Sequence, residues 1–273
     1  MSMSEPAGDG LLADTAAAAP SPPAAVDPEQ LPLGELGHGA TGGPMPEPVV
    51  DAAAGRRSEA AQAAEAAAQA VAILYGKARQ QSDAGDTVAA IATYRELIAK
   101  EPGHLRARNN LALLLERRGD VAAALMELEQ ALAIDPDNVS VLCNRAALLS
   151  GRLKYDAAEV DLRRALRAEP RSAEALANLG ILFCKSARWR SAIEPLREAV
   201  EIDPERAAAH YYLGEAFNHV DQLPAALAAY ETAARLQPTN FRAMKGIGIV
   251  LDRMGRPGEA AIAYRRSREA QRR

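Results

Sequence analysis

Val139–Ser172 reads VSVLCNRAALLSGRLKYDAAEVDLRRALRAEPRS, and the next stretch, Ala173–Arg206, reads AEALANLGILFCKSARWRSAIEPLREAVEIDPER. Both span 34 residues and agree place by place: a small residue at position 8 (Ala146, Gly180), alanine at 20 (Ala158, Ala192), leucine at 24 (Leu162, Leu196), alanine at 27 (Ala165, Ala199) and proline at 32 (Pro170, Pro204). Carried outward, the same register starts units at Val71, Leu105, Val139, Ala173, Ala207 and Phe241, and sets a proline ladder at Pro102, Pro136, Pro170, Pro204 and Pro238. Position 20 is alanine in all six units: Ala90, Ala124, Ala158, Ala192, Ala226 and Ala260. Self-similarity at this period marks a solenoid, in which each helix-turn-helix unit buries its apolar face only by stacking on its neighbours.

The small residues at positions 8, 20 and 27, the larger ones at 4, 7, 11 and 24, and the closing proline resemble the tetratricopeptide repeat (TPR) family. The resemblance covers residues 71–273 and implies an all-α fold: an α-solenoid of six stacked repeats (71–104, 105–138, 139–172, 173–206, 207–240, 241–273), preceded by a disordered N-terminal tail. A small side chain where two helices cross lets their backbones approach toward the short end of the usual interaxial range of about 8–10 Å. Composition agrees, with 48% hydrophobic residues but only 4% aromatics, alanine making up much of the difference.

Residues 1–56 are rich in Pro, Ala and Gly. The first 55 carry eight carboxylates (Glu5, Asp9, Asp14, Asp27, Glu29, Glu35, Glu47, Asp51) and no Lys or Arg, so the remainder holds +4 against a whole-chain charge of -4. Such a tail has too little apolar surface to recover its ordering entropy, and disorder is expected, either as a solvated leader or as an acidic ligand for the repeats. Residues 57–70 read as a helical lead-in that starts near Ser58 and caps the first unit. At the other end, position 28 changes from Ile98, Leu132, Leu166, Val200 and Ala234 to Arg268, a polar last helix that is expected to close the array.

Local signals place the helix ends. Asn138, Ser172 and Asn240 are N-cap candidates, Pro224 and Pro257 sit at the start of second helices, and Gly85, Gly119 and Gly255 lie at turns. Pro195, one turn into its helix, is expected to kink it or delay its start to Ser191.

The two cysteines, Cys143 and Cys184, are out of step along neighbouring units, which argues against a disulfide and for a reducing compartment. With no basic start followed by an apolar run and no stretch of about 18 apolar residues, a cytoplasmic protein with no membrane contact is expected. The four histidines (His38, His104, His210, His219) show no metal or nucleophile spacing, though Cys184 and His219 could approach across adjacent helices. No glycine-rich phosphate loop occurs. The expectation is a non-enzyme with no cofactor, no metal and no nucleic-acid partner.

The family resemblance implies that the inner face is built from the first helix of each unit, at positions 2, 5, 6, 9, 12 and 13, and that it binds a protein or peptide partner. The candidate contacts are Arg79, Arg106, Asn110, Asn144, Asn178, Lys185, Tyr211, Tyr212, Arg242 and Lys245. Asn110, Asn144 and Asn178 recur at position 6 and are similar to the asparagine ladder in the repeats of protein O-linked sugar transferases, where an amide offers both donor and acceptor to a peptide backbone. The clamp by which co-chaperones of this family hold a C-terminal carboxylate is matched at one place only, since its positions read Tyr75, Arg79, Asn110, Ser140 and Asn144. The expected function is a monomeric interaction scaffold or adaptor that holds a peptide or helix of a partner. The alternative is a regulatory or targeting subunit of a separately encoded enzyme, such as a glycosyl- or methyltransferase.

Overall fold

The computed structural model describes residues 52–272. Twelve helices are present among them, and they pair into six hairpins: α1 (Ala52–Asp83) with α2 (Thr87–Lys100), α3 (Leu105–Arg117) with α4 (Val121–Ile134), α5 (Val139–Gly151) with α6 (Tyr155–Ala168), α7 (Ala173–Lys185) with α8 (Trp189–Ile202), α9 (Ala207–His219) with α10 (Leu223–Leu236), and α11 (Phe241–Arg253) with α12 (Pro257–Gln271). From the second hairpin on, each first helix starts at the first residue of its sequence unit. The tail expected over residues 1–56 lies outside the described residues except for its last five, which are helical.

Small side chains set the packing. The position-20 alanines are all at most 1% exposed, as are Ala78 and Ala146 at position 8. At the same place in later repeats the close approach becomes absolute: a Cβ added to Gly180 would fall 2.3 Å from Leu196 Cγ, and one added to Gly248 would fall 2.5 Å from the Tyr264 ring. The large residues at position 24, Tyr94, Leu128, Leu162, Leu196 and Tyr230, fill the space between helices and are buried. One continuous core runs from Ala78 to Val250, and the last hairpin adds a satellite of Leu251, Ala260 and Ala263.

Every helix packs on the next in sequence. The first helices also pack on one another, α3 on α5, α5 on α7, α7 on α9 and α9 on α11, with no comparable contact between second helices. The first helices therefore make one shared face.

Two of the positions reserved for larger residues hold arginine. Arg108, at position 4, is buried and donates to Pro102 O (2.9 Å), Glu127 (2.7 Å) and Gln130. Arg145, at position 7, forms a two-pronged pair with buried Asp161, Nε to Oδ2 at 2.8 Å and Nη2 to Oδ1 at 2.6 Å. Buried Arg108 and half-buried Arg145 are each matched by a carboxylate from the second helix, as desolvation requires.

Helix ends follow local chemistry. Asn138, Ser172 and Asn240 accept from the backbone N–H three residues on, at 3.1–3.3 Å, and Asp86, Asp120 and His104 cap in the same way. The turn of every hairpin needs a left-handed residue at position 15. Gly85, Gly119 and Gly255 supply it without strain, while Leu153 (φ 60°), Ala187 (φ 57°) and Asp221 (φ 63°) adopt it against their side-chain preference.

Three expectations differ from the structure. Pro195 lies inside α8, and of its two expected effects the delayed start is not found, since the helix starts in register at Trp189 and not at Ser191. Helix α1 begins at Ala52, which places Ser58 within it and not at its cap. Residues 61–70 are exposed all round and leave Ile73 and Val88 of the first hairpin 65% and 74% exposed, because alanine methyls on a continuing helix present nothing large enough to seat on that hairpin.

Candidate functional site

The shared face of the first helices carries a set of cationic side chains that project from the array. Arg79 on α1, Arg106 and Arg117 on α3, Lys185 on α7, and Arg242 and Lys245 on α11 are exposed, and none forms an ion pair among the described residues. Arg253 at the end of α11 differs. It is tied to Asn218 O at 2.7 Å and to the carboxylate of Asp221.

The three asparagines of the ladder do not behave alike. Asn110 donates to the hydroxyls of Tyr75 and Tyr94, both at 3.2 Å, so its amino group supports the first two hairpins. Asn144 donates to Asn109 Oδ1 at 2.8 Å, linking α5 to α3. Asn178 sits against the Cys143 thiol and lines a hollow of about 230 Å3 with Ser150, Ile181, Lys185 and Tyr212.

A smaller hollow of about 160 Å3 lies between α1 and α3, lined by Arg79, Ser82, Asp83, Tyr94, Asn110 and Arg117. A third, of about 270 Å3, joins Tyr211, Tyr212 and Arg242 to the turn before α11. Arg106 and Lys245 lie outside these three hollows. Tyr211 meets Tyr212 edge-on, with centroids 5.1 Å apart, and Tyr230 at 5.8 Å. Burial raises the hydroxyl pKa of Tyr211, reinforced by the nearby Glu215, and burial raises that of Tyr212. Both therefore stay protonated at neutral pH and can donate.

Cys184 and His219 do not come together as a pair. The Cys184 thiol faces Tyr212 O at 3.6 Å, while the His219 ring stacks flat on Trp189, with centroids 3.7 Å apart and planes 5° from parallel. Both cysteines are buried and unpaired, and burial pushes each thiol up to about 12, which leaves them unreactive at neutral pH. Among the described residues no three of His, Cys, Asp and Glu gather as metal ligands, and no helix is long and apolar enough to cross a membrane.

Ser82, Ser150 and Trp189 were missed as candidates. A signal for the serines was present, since both occupy position 12 and each is followed one unit later by a cation at position 13, Arg117 and Lys185. Trp189 gave none, because its partner His219 belongs to another repeat.

Comparison with known proteins agrees with this geometry. The family model described as tetratricopeptide repeat matches residues 75–139, 179–220 and 220–272, together more than half of the chain. No curated protein matches the sequence significantly. Similar solved structures include MamA (25% identity, 58% of this chain and 92% of that one, TM-score 0.52). A tetratricopeptide repeat protein from Parabacteroides merdae is 21% identical, over 71% of this chain and 77% of that one, with TM-score 0.58. YrrB, described as a TPR protein with an unusual peptide-binding site, is 19% identical over 65% of this chain and 92% of its own, with TM-score 0.52.

Proposed function

Because this chain belongs to the tetratricopeptide repeat family, we propose that it is a non-enzymatic interaction scaffold that holds an extended segment of a partner protein along the face made by its first helices. The observation that carries this reading is the set of cations Arg79, Arg117, Lys185 and Arg242, which line hollows on that face and have no ion-pair partner among the described residues. By contrast, Arg108 and Arg145, which point into the hairpins, are each paired with a carboxylate of the second helix. Hollows beside half-buried amides and tyrosines suit an extended chain, whose side chains enter alternate hollows.

YrrB, which has the same fold, is described as having a peptide-binding site; for this chain that use of the face is part of the proposal. The test is a set of charge reversals. Lys185→Glu and Arg242→Glu should abolish capture of the partner without lowering the melting temperature, while Met126→Glu and Val160→Glu, on exposed positions of the second helices, should leave capture intact. Equal loss in both sets contradicts the proposal.

A further inference from the structure

We propose that the face carries two corresponding notches, two repeats apart, each built to take one carboxylate from an extended acidic partner segment. This rests on the groove reading above and gives it a ligand chemistry.

The notches are related by two repeat periods. Ser82, Asn110 and Arg117 in the first correspond to Ser150, Asn178 and Lys185 in the second. The step between them breaks the pattern, with Glu116, Asn144 and Gly151 at the same three positions, and the step after them has Cys184, Tyr212 and His219. A hydroxyl, an amide and a cation therefore converge at two sites and not at the neighbouring ones.

Ser150 points to a ligand independently of charge. It is 6% exposed, lines the second notch, and its Oγ has no hydrogen-bond partner among the described residues. The other buried serine and threonine hydroxyls have backbone partners, Thr93 donating to Ala89 O at 3.0 Å and Ser267 to Phe241 O at 2.8 Å. A buried hydroxyl that forgoes that bond is left to be satisfied by what enters the notch.

The donor balance selects an anion. The second notch offers the Ser150 hydroxyl, the Asn178 amide, the Lys185 ammonium and the protonated Tyr212, whereas a carboxylate is acceptor-only. The first offers Arg79, Arg117 and Ser82 against the single carboxylate of Asp83, and the Asn110 amino group there is already spent on the two tyrosines. Hollows of about 160 and 230 Å3 have room for a single acidic side chain. Two helix spacings of about 8–10 Å each, spanned by a strand rising about 3.3 Å per residue, put the two acidic side chains about five to six residues apart.

The probe is a labelled Ser/Thr/Ala peptide of about fourteen residues with two Asp about six residues apart, titrated into the full chain beside the same peptide with Asn at both places. The Asp peptide is expected to bind at least about tenfold more tightly, with either single Asp→Asn change giving up most of that gain. Lys185→Gln and Arg117→Gln, both at exposed side chains, should each erase the discrimination at one Asp. Ser150→Ala should weaken Asp-peptide binding while holding or raising the melting temperature, an outcome that a purely structural serine would not give. Moving the two Asp to about three residues apart should remove the benefit of the second. Equal affinity for the Asp and Asn peptides overturns the notches and leaves the groove reading standing. Binding of neither peptide also overturns the notches, and the groove reading is then decided by the charge reversals at Lys185 and Arg242.

Discussion

A Cβ at residue 246 would lie 2.7 Å from the Tyr230 ring, so the glycine that interrupts the position-6 ladder is there because a tyrosine from the preceding helix occupies its space. Tyr230 is fully buried, is gripped from the other side by Gly214, and donates to Glu215 Oε1 at 2.5 Å. In the first repeat the same ring position is Tyr94, and there residue 110 keeps its asparagine by bonding the hydroxyl. Where leucine stands at position 24, as at Leu128 and Leu162, the asparagines at 144 and 178 fit without either device.

Gly246→Ala should therefore destabilise, although alanine is the better helix former. Overpacking against a ring that cannot move costs about 1–3 kcal/mol, against about 1 kcal/mol gained in helix propensity. Combining it with Tyr230→Leu should show a favourable coupling in a double-mutant cycle by chemical denaturation. Additive losses would mean that the ring does not exclude the side chain.

Leu153→Gly should stabilise by about 1 kcal/mol. Leu153 holds a left-handed turn at φ 60° with its side chain 72% exposed, so strain is relieved and almost no packing is lost. A lower midpoint in a urea melt would refute this.

Asp161→Ala should cost about 3 kcal/mol, because it strands the Arg145 guanidinium beside the core. The double change Arg145→Met with Asp161→Leu restores an apolar crossing and should recover most of that loss. If the double variant is no better than Asp161→Ala, the pair serves something beyond mutual neutralisation.

The thiols fix a pH dependence. Burial holds Cys143 and Cys184 at about 12 in the folded chain against 9 as the ordinary value, so between those limits the unfolded state binds fewer protons than the native one. Stability should be level in this respect below pH 9 and fall as pH rises toward 12. The buried tyrosines act in the same direction at higher pH, so the cysteine share is isolated by Cys143→Ala with Cys184→Ala. The decline in melting temperature from pH 8 to 11 should be shallower in that variant, and an unchanged slope would contradict the burial.

The fold was legible because repetition reports the same packing rule six times. A single Ala158 says little, but alanine at one phase of every unit shows that a helix crosses there. The exceptions were hidden for the same reason. Arg108 and Arg145 sit where the pattern asks for larger residues, and their partners Glu127 and Asp161 belong to another helix, so each is visible only once the hairpin is closed. The site was partly legible. Register placed Asn110, Asn144 and Asn178 on one face but could not show that Tyr75, Tyr94 and Asn109 already hold two of their amides. Ser150 shares position 12 with Ser82, but that recurrence does not reveal that its hydroxyl lacks a hydrogen-bond partner.

The most direct measurement places a photo-crosslinking amino acid at Ala147, beside the second notch, and separately at Val160 on the outward side of α6, then irradiates the full chain with its partner bound. A covalent adduct to the partner from residue 147 and none from residue 160 is the predicted result. Adducts from 160 with none from 147 would place the partner on the opposite side of the helices and contradict the groove.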